Sequence, residues 1–204
     1  MSRYRTRSWR AFEPGVARTP LPAHAPGVRI LGLDPGSRRT GYGVIESRGA
    51  DWVHVAHGCV KVDAPQDSLP ERLRVIFDSL RELIAAHCPG EVAIERVFVN
   101  KSVDSALKLG QARGAALCAV PKGLPVFEYA PRAIKLALVG SGAAEKAQVA
   151  HMIRMLLGVQ GRITPDASDA LAVAVCHAHS RRLLELAAQS ERNAMPRAAQ
   201  PSSR

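Results

Sequence analysis

Residues 29–34 (RILGLD) form a short, almost continuous apolar run that stops on an acid. An apolar run of this length suits a strand buried on both faces, and such a strand needs a sheet covered by helices on each side. A glycine-rich turn, PGSRRTG, follows. Residues 42–47 and 52–62 read as two more strands, and the short link at 49–51 predicts an antiparallel meander. Leu69, Leu73, Ile76, Leu80, Leu83 and Ile84 recur at helical spacing within 68–87, and Pro89-Gly90 ends that helix. The pattern continues with a strand at 91–95, a helix at 102–119, a strand at 125–129, and helices at 144–157 and 166–187. The order predicts an α/β domain over 28–187, with a mixed five-stranded sheet flanked by helices. Residues 188–204 turn polar and rich in alanine and proline, and are expected to be a disordered tail.

Composition narrows the class. No apolar run reaches the roughly 18 residues that cross a bilayer, and the first 27 residues lack the apolar stretch of a secretory signal. The formal charge of +10 points to a polyanionic partner such as nucleic acid. Part of that charge sits in the ends: residues 1–27 carry five arginines against Glu13 alone, and residues 181–204 carry five against two glutamates. Cys59, Cys88, Cys118 and Cys176 form no C-x-x-C pair, and three of them lie in apolar sequence. Reduced thiols in a cytoplasmic protein are the expectation.

Chemistry is written where strands end. RILGL closes on Asp34 and VAI closes on Glu95. A carboxylate ending an apolar run sits near low-dielectric core and loses solvation. If the two strands are neighbours, the acids meet at one edge of the sheet. In TPDASDALAVAV, Thr164 suits a helix cap, Pro165 the first helical position, and Asp166 and Asp169 one face of the first turns. Each acid has an ordinary reading: helix-dipole partner, turn residue before Pro-Gly, or arginine partner. Together, in a chain whose order can gather them, they suggest a site for hard divalent cations that hydrolyses phosphodiesters.

Six segments in series carry a resemblance: ILGLDPGSRRTGYGVI, AIERVF, DSALKLGQARG, PVFEYAPRAIK, AEKAQVAHMIRMLLG and PDASDALAVA. Over residues 28–180 the chain closely resembles the RuvC Holliday-junction resolvases, which have a ribonuclease H-like fold. The resemblance implies a structure-selective endodeoxyribonuclease acting in recombination and repair. Asp34, Glu95, Asp166 and Asp169 are its implied catalytic and metal-binding residues, holding two Mg²⁺ ions for which Mn²⁺ can substitute. It further implies a homodimer that nicks opposed strands of four-way junction DNA symmetrically, leaving 5′-phosphate and 3′-hydroxyl ends, and that works with the RuvA and RuvB branch-migration proteins.

By the same resemblance Phe98 stacks on bases near the opened junction, a contact worth roughly 1–3 kcal/mol per base. Its ordinary reading is a buried strand-end phenylalanine. Lys135 and Lys146 match lysines along the DNA path. Arg96, Lys101, Lys108 and Arg113 could extend a phosphate-contacting surface. Gly110 and Gly114, four apart, allow close helix approach, within the fold or between copies. The histidines show no metal-ligand spacing; Cys176-His177 and His179 read as structural or surface positions. The chain departs from the family at residues 1–27, which read as a disordered extension or a misplaced start, with Val28 where an initiator is expected.

Three other classes compete. The pattern over residues 30–37 resembles the first phosphate loop of sugar kinases and actin-like ATPases, but those need two such domains. A YqgF-type nuclease shares the ribonuclease H-like core, against which DSALKLGQARG and PVFEY argue. A non-catalytic junction-binding protein would not need four acids.

Overall fold

The structure, a computed structural model, describes residues 27–62, 68–96 and 103–194. Strand β1 (Val28–Asp34) is its axis, and three of its apolar side chains, Ile30, Leu31 and Leu33, are all but completely buried. Strands β2 (Arg39–Arg48) and β3 (Asp51–Lys61) run antiparallel from it as the expected meander, with Gly49 in the left-handed region at the turn. Strands β4 (Glu91–Glu95) and β5 (Val126–Tyr129) add in parallel on the other side, giving the order β3-β2-β1-β4-β5. The mixed five-stranded sheet is therefore as the sequence pattern implied.

Helices cover both faces. Helices α1 (Leu69–His87) and α2 (Val103–Cys118) bury Leu31, Leu33, Val44, Val92 and Ile94. Three helices, α3 (Pro131–Val139), α4 (Lys146–Leu157) and α5 (Pro165–Ala194), bury Ile30, Ile45 and Ala93 on the opposite face. Helix α1 starts where Glu71 accepts the Ser68 backbone N–H at 2.7 Å, and stops at Cys88 in the left-handed conformation.

Three expectations need correction. The turn after β1 is shorter than PGSRRTG, because Arg39 and Thr40 already belong to β2; buried Thr40 donates to the Gly36 carbonyl at 3.1 Å and closes the turn. Helix α3 has no counterpart in the sequence pattern. It buries only Ile134 and Leu138, too few positions to set a helical period. Helix α5 continues to Ala194 rather than stopping at 187, since no glycine or proline interrupts the sequence before Pro196. Of the four free cysteines only Cys176 is buried; Cys59 is half-buried, and Cys88 and Cys118 are exposed because each sits at a helix end. Residues 1–26 and 195–204, which hold most of the two expected tails, lie outside the described residues.

Candidate active site at the ends of two parallel strands

The parallel register of β1 and β4 sets Leu33 opposite Ile94, so the next residues, Asp34 and Glu95, leave the sheet side by side. Their side chains are hydrogen-bonded to each other. Helix α5 brings the third acid. Thr164 Oγ1 accepts the Ala167 N–H at 3.3 Å and caps the helix, and Asp169 follows in its opening turns. The helix lies close on the sheet because β1 and β2 present glycines to it. A Cβ on Gly32 would collide with the Ala170 carbonyl, and one on Gly41 with the Asp166 carbonyl. Sequence reasoning passed over these two positions, although a glycine inside an apolar strand is the ordinary sign of close backbone approach.

Electrostatics mark the cluster. Burial, then the carboxylates of Glu95 and Asp169, push the Asp34 carboxyl up to about 8, against the opposing pull of Lys146. Burial and Asp169 likewise raise Glu95, while Lys146 and Lys135 act in the other direction. Lys146, the first residue of α4, donates from Nζ to Asp169 Oδ2 at 2.6 Å, and that bond raises its own pKa. The acids open on a cleft of about 750 Å³ lined by Asp34, Glu95, Arg96, Arg132, Lys146 and Asp169 among others. Lys135 borders an adjoining cavity of about 190 Å³ with Glu95, Lys146 and Asp169.

Five of the seven positions singled out by sequence thus fall together, or nearly so: Asp34, Glu95, Asp169, Lys135 and Lys146. Asp166 sits apart. It lines neither cavity, and its Oδ2 accepts a weak bond from Cys59 Sγ at 3.7 Å. Burial, then Asp166, pushes the Cys59 thiol up to about 11, which keeps it neutral beside that acid. No local pattern marks Cys59 as a neighbour, since the contact spans two elements. Phe98 and Lys101 lie outside the described residues.

The two arginines suggested for a phosphate surface share one carboxylate, and Arg96 remains exposed on the acid cleft. Arg113 Nη2 and Arg96 Nε reach Glu128 at 2.7 and 3.4 Å, and exposed Lys108 pairs with Asp104 at 2.6 Å. A Cβ added at Gly110 or Gly114 would meet nothing within 4 Å, so neither serves close packing inside the fold. His177 is structural: it is buried and bonded to Glu91 and Tyr129.

Among the described residues no three His, Cys, Asp or Glu side chains stand as a ready-made set of metal ligands. Asp34 and Glu95 are bonded to each other and Asp169 to Lys146, so each must turn to a common point to hold an ion. The donor chemistry nevertheless fits a hard divalent cation. The donors are carboxylate oxygens, and their raised pKa values express a surplus of negative charge that such a cation relieves.

Comparison with known proteins agrees with this picture. The family described as "Crossover junction endodeoxyribonuclease RuvC" matches residues 30–177. The protein of that name from Methylococcus capsulatus is 56% identical over 157 residues, covering 76% of this chain and 93% of its own length. Its counterpart in Alkalilimnicola ehrlichii is 58% identical over 152 residues, covering 74% and 91%. Among solved structures, Thermus thermophilus RuvC in complex with a Holliday junction substrate superposes with a TM-score of 0.72 at 35% identity, covering 76% of this chain and 96% of that one.

Proposed function

The chain belongs to the RuvC family of crossover junction endodeoxyribonucleases, with the family's ribonuclease H-like fold and metal-dependent nuclease activity, and from that premise we propose how its own residues resolve a four-way DNA junction. The observation that carries the proposal is the convergence of Asp34, Glu95 and Asp169 at the edge of the sheet. These three would hold two Mg²⁺ ions, with Asp166 joining from the preceding turn of α5 once it leaves Cys59; Mn²⁺ would substitute. When bound, such ions supply an activated water and stabilise the attacking and leaving oxygens of the phosphodiester.

The protein side of the mechanism follows from the charges. Asp34 would have to be ionised to hold an ion, and a bound cation would offset the burial and like charges that favour its protonated form. Lys146 is exposed and lies against Asp169, so it can swing from that carboxylate to a DNA phosphate. Lys135, beside Glu95, extends the basic path along α3. Phe98, just beyond Glu95 in sequence, stacks on an unpaired base.

The working unit is a homodimer that nicks two opposed strands symmetrically and leaves 5′-phosphate and 3′-hydroxyl ends. Its support is the outer face of α2, where Val103 and Leu107 are 73% and 61% exposed and Gly110 is open. A second copy laid on this face would bury side chains that the monomer leaves in water. The reading includes cooperation with RuvA and RuvB in the cytoplasm, and no described helix is long and apolar enough to cross a membrane.

Labelled synthetic four-way junctions beside linear duplex, with Mg²⁺ or with chelator, test the activity. Paired symmetric nicks are expected on the junction with metal alone. Binding without nicking under every metal condition would favour a non-catalytic junction binder, and cutting of linear or RNA substrates a YqgF-type nuclease. Junction binding should fall steeply with salt as phosphate contacts release counterions.

A further inference from the structure

Strand β3 carries two histidines that the nuclease chemistry does not use. Three residues apart, His54 and His57 would point to opposite faces of a regular strand. A β-bulge intervenes: Val44 pairs with Ala56 but Ile45 pairs with His54, which leaves Val55 as the extra residue. Both rings therefore face the α5 side. His57 stands opposite Gly43, whose missing side chain would otherwise meet Leu171 of α5. The rings lie 4.9 Å apart between centroids and are tilted by 54°. His54 Nε2 and His57 Nδ1 are 2.8 Å apart, sharing one proton between two nitrogens.

We propose that His54 and His57 form a binding site for a borderline transition-metal ion such as Zn²⁺, distinct from the acid cleft and completed by water. Two nitrogens bound tetrahedrally at Zn–N distances of 2.0–2.1 Å lie about 3.3 Å apart, so a small opening of the pair replaces the shared proton with the metal. The Arg162 backbone carbonyl lies near the His57 ring and favours a proton on that side. With its proton held there, the nitrogen facing His54 keeps its lone pair. A ligand imidazole tied through its other nitrogen to a carbonyl is the usual arrangement around protein-bound zinc. His54 supplies its Nε2 lone pair once its own proton moves to Nδ1 or to solvent. Cys59 follows on the same face but is turned to Asp166, so it is not a third ligand.

Nitrogen donors select differently from the oxygen donors at Asp34, Glu95 and Asp169. The pair should take Zn²⁺ or Cu²⁺ and ignore Mg²⁺. This inference stands independently of the nuclease reading.

The test uses the full chain, stripped of metal and titrated with Zn²⁺ by calorimetry in chelator-free buffer, with Cu²⁺ electron paramagnetic resonance as the second readout. With saturating Mg²⁺ occupying the acid cleft, one site per chain is expected, with hyperfine coupling from two imidazole nitrogens. His54→Ala and His57→Ala should each weaken it by about tenfold or more. Asp34→Asn should leave it in place. His54→Gln and His57→Gln, which keep side-chain bulk, serve if the alanine variants lose the circular-dichroism spectrum of the wild type. An isotherm and two-nitrogen signal that survive both substitutions overturn the proposal.

Discussion

Two clusters of ionisable groups are built on the same pair of elements, and they differ in one respect. Strand β4 begins with Glu91 and ends with Glu95, and α5 lays a polar side chain against each. At Glu91 every charge has its opposite. His177 donates from Nε2 at 2.7 Å and Arg181 from Nε at 3.2 Å, while the Tyr129 hydroxyl meets His177 Nδ1 at 2.7 Å and Phe127 stacks on the ring. Burial holds the His177 pKa down, so the imidazole is neutral and uses both nitrogens. At Glu95 the neighbours are like charges, Asp34 and Asp169, with exposed Lys146 as the nearest counter-charge. The sheet can satisfy a half-buried acid when it only has to hold the fold together. Leaving one unsatisfied a few residues away is the mark of a place that expects charge from outside.

The largest effect should come from Asp34→Asn. Losing one carboxylate from the cleft should cut junction nicking by at least about 10²-fold, measured in single-turnover assays with Mg²⁺, while junction binding persists. The same substitution should help the metal-free fold. Asp34 titrates near 8 in the native state, far above its ordinary 3.8. Between those values the native state keeps a proton that the unfolded chain has lost, so wild-type stability falls as pH rises and levels off above about 8. The midpoint difference in thermal unfolding, variant over wild type in chelator, should therefore widen from pH 4 to 8. A flat difference would show that the acids are not crowded as described.

Breaking the satisfied cluster should do the reverse. Glu91→Ala leaves the buried His177 N–H without its acceptor and Arg181 with Glu185 alone, at a cost of about 2 kcal/mol in urea unfolding. Nicking at a temperature where the variant is folded should change little. A large loss of nicking with small loss of stability would erase the distinction between the two clusters.

One of these clusters is readable in the sequence and the other is hidden. Asp34 and Glu95 stand out because each interrupts an apolar run, and Asp166 and Asp169 because their spacing suits a helix start. Glu91 opens its strand straight after the Pro89-Gly90 helix stop, where an acid reads as an ordinary turn residue, and its partners lie 86 and 90 positions away. Separations of 32 and 15 positions likewise hid the pairing of Arg96 and Arg113 with the single carboxylate of Glu128. Helix α3 was hidden for a different reason, since nine residues with two buried positions carry almost no period. The bulge in β3 is set by pairing with β2, so the side on which His54 and His57 emerge has no local signal at all. Periodic elements and the acids at their ends were legible; pairings between distant side chains, which leave no local pattern, were not.

The smallest effect concerns how α5 holds its acids at one end while anchoring the fold at the other. Thr164 caps the turn that carries Asp166 and leads to Asp169, and Thr164→Ala should cost about 1 kcal/mol, as lost caps usually do. If the cap alone fixed that turn, nicking would fall further than so small a loss of stability explains, because a frayed first turn misplaces two acids. Gly41 argues otherwise. Its bare backbone lies against the Asp166 carbonyl, and Gly32 does the same against Ala170, so sheet packing clamps the turn from below. We therefore expect Thr164→Ala to lower nicking only severalfold, Thr164→Ser to restore it, and hydrogen exchange around His177 to stay as in the wild type. Faster exchange at His177 in the cap variant would mean that the helix responds as one body and that its two ends are not separable.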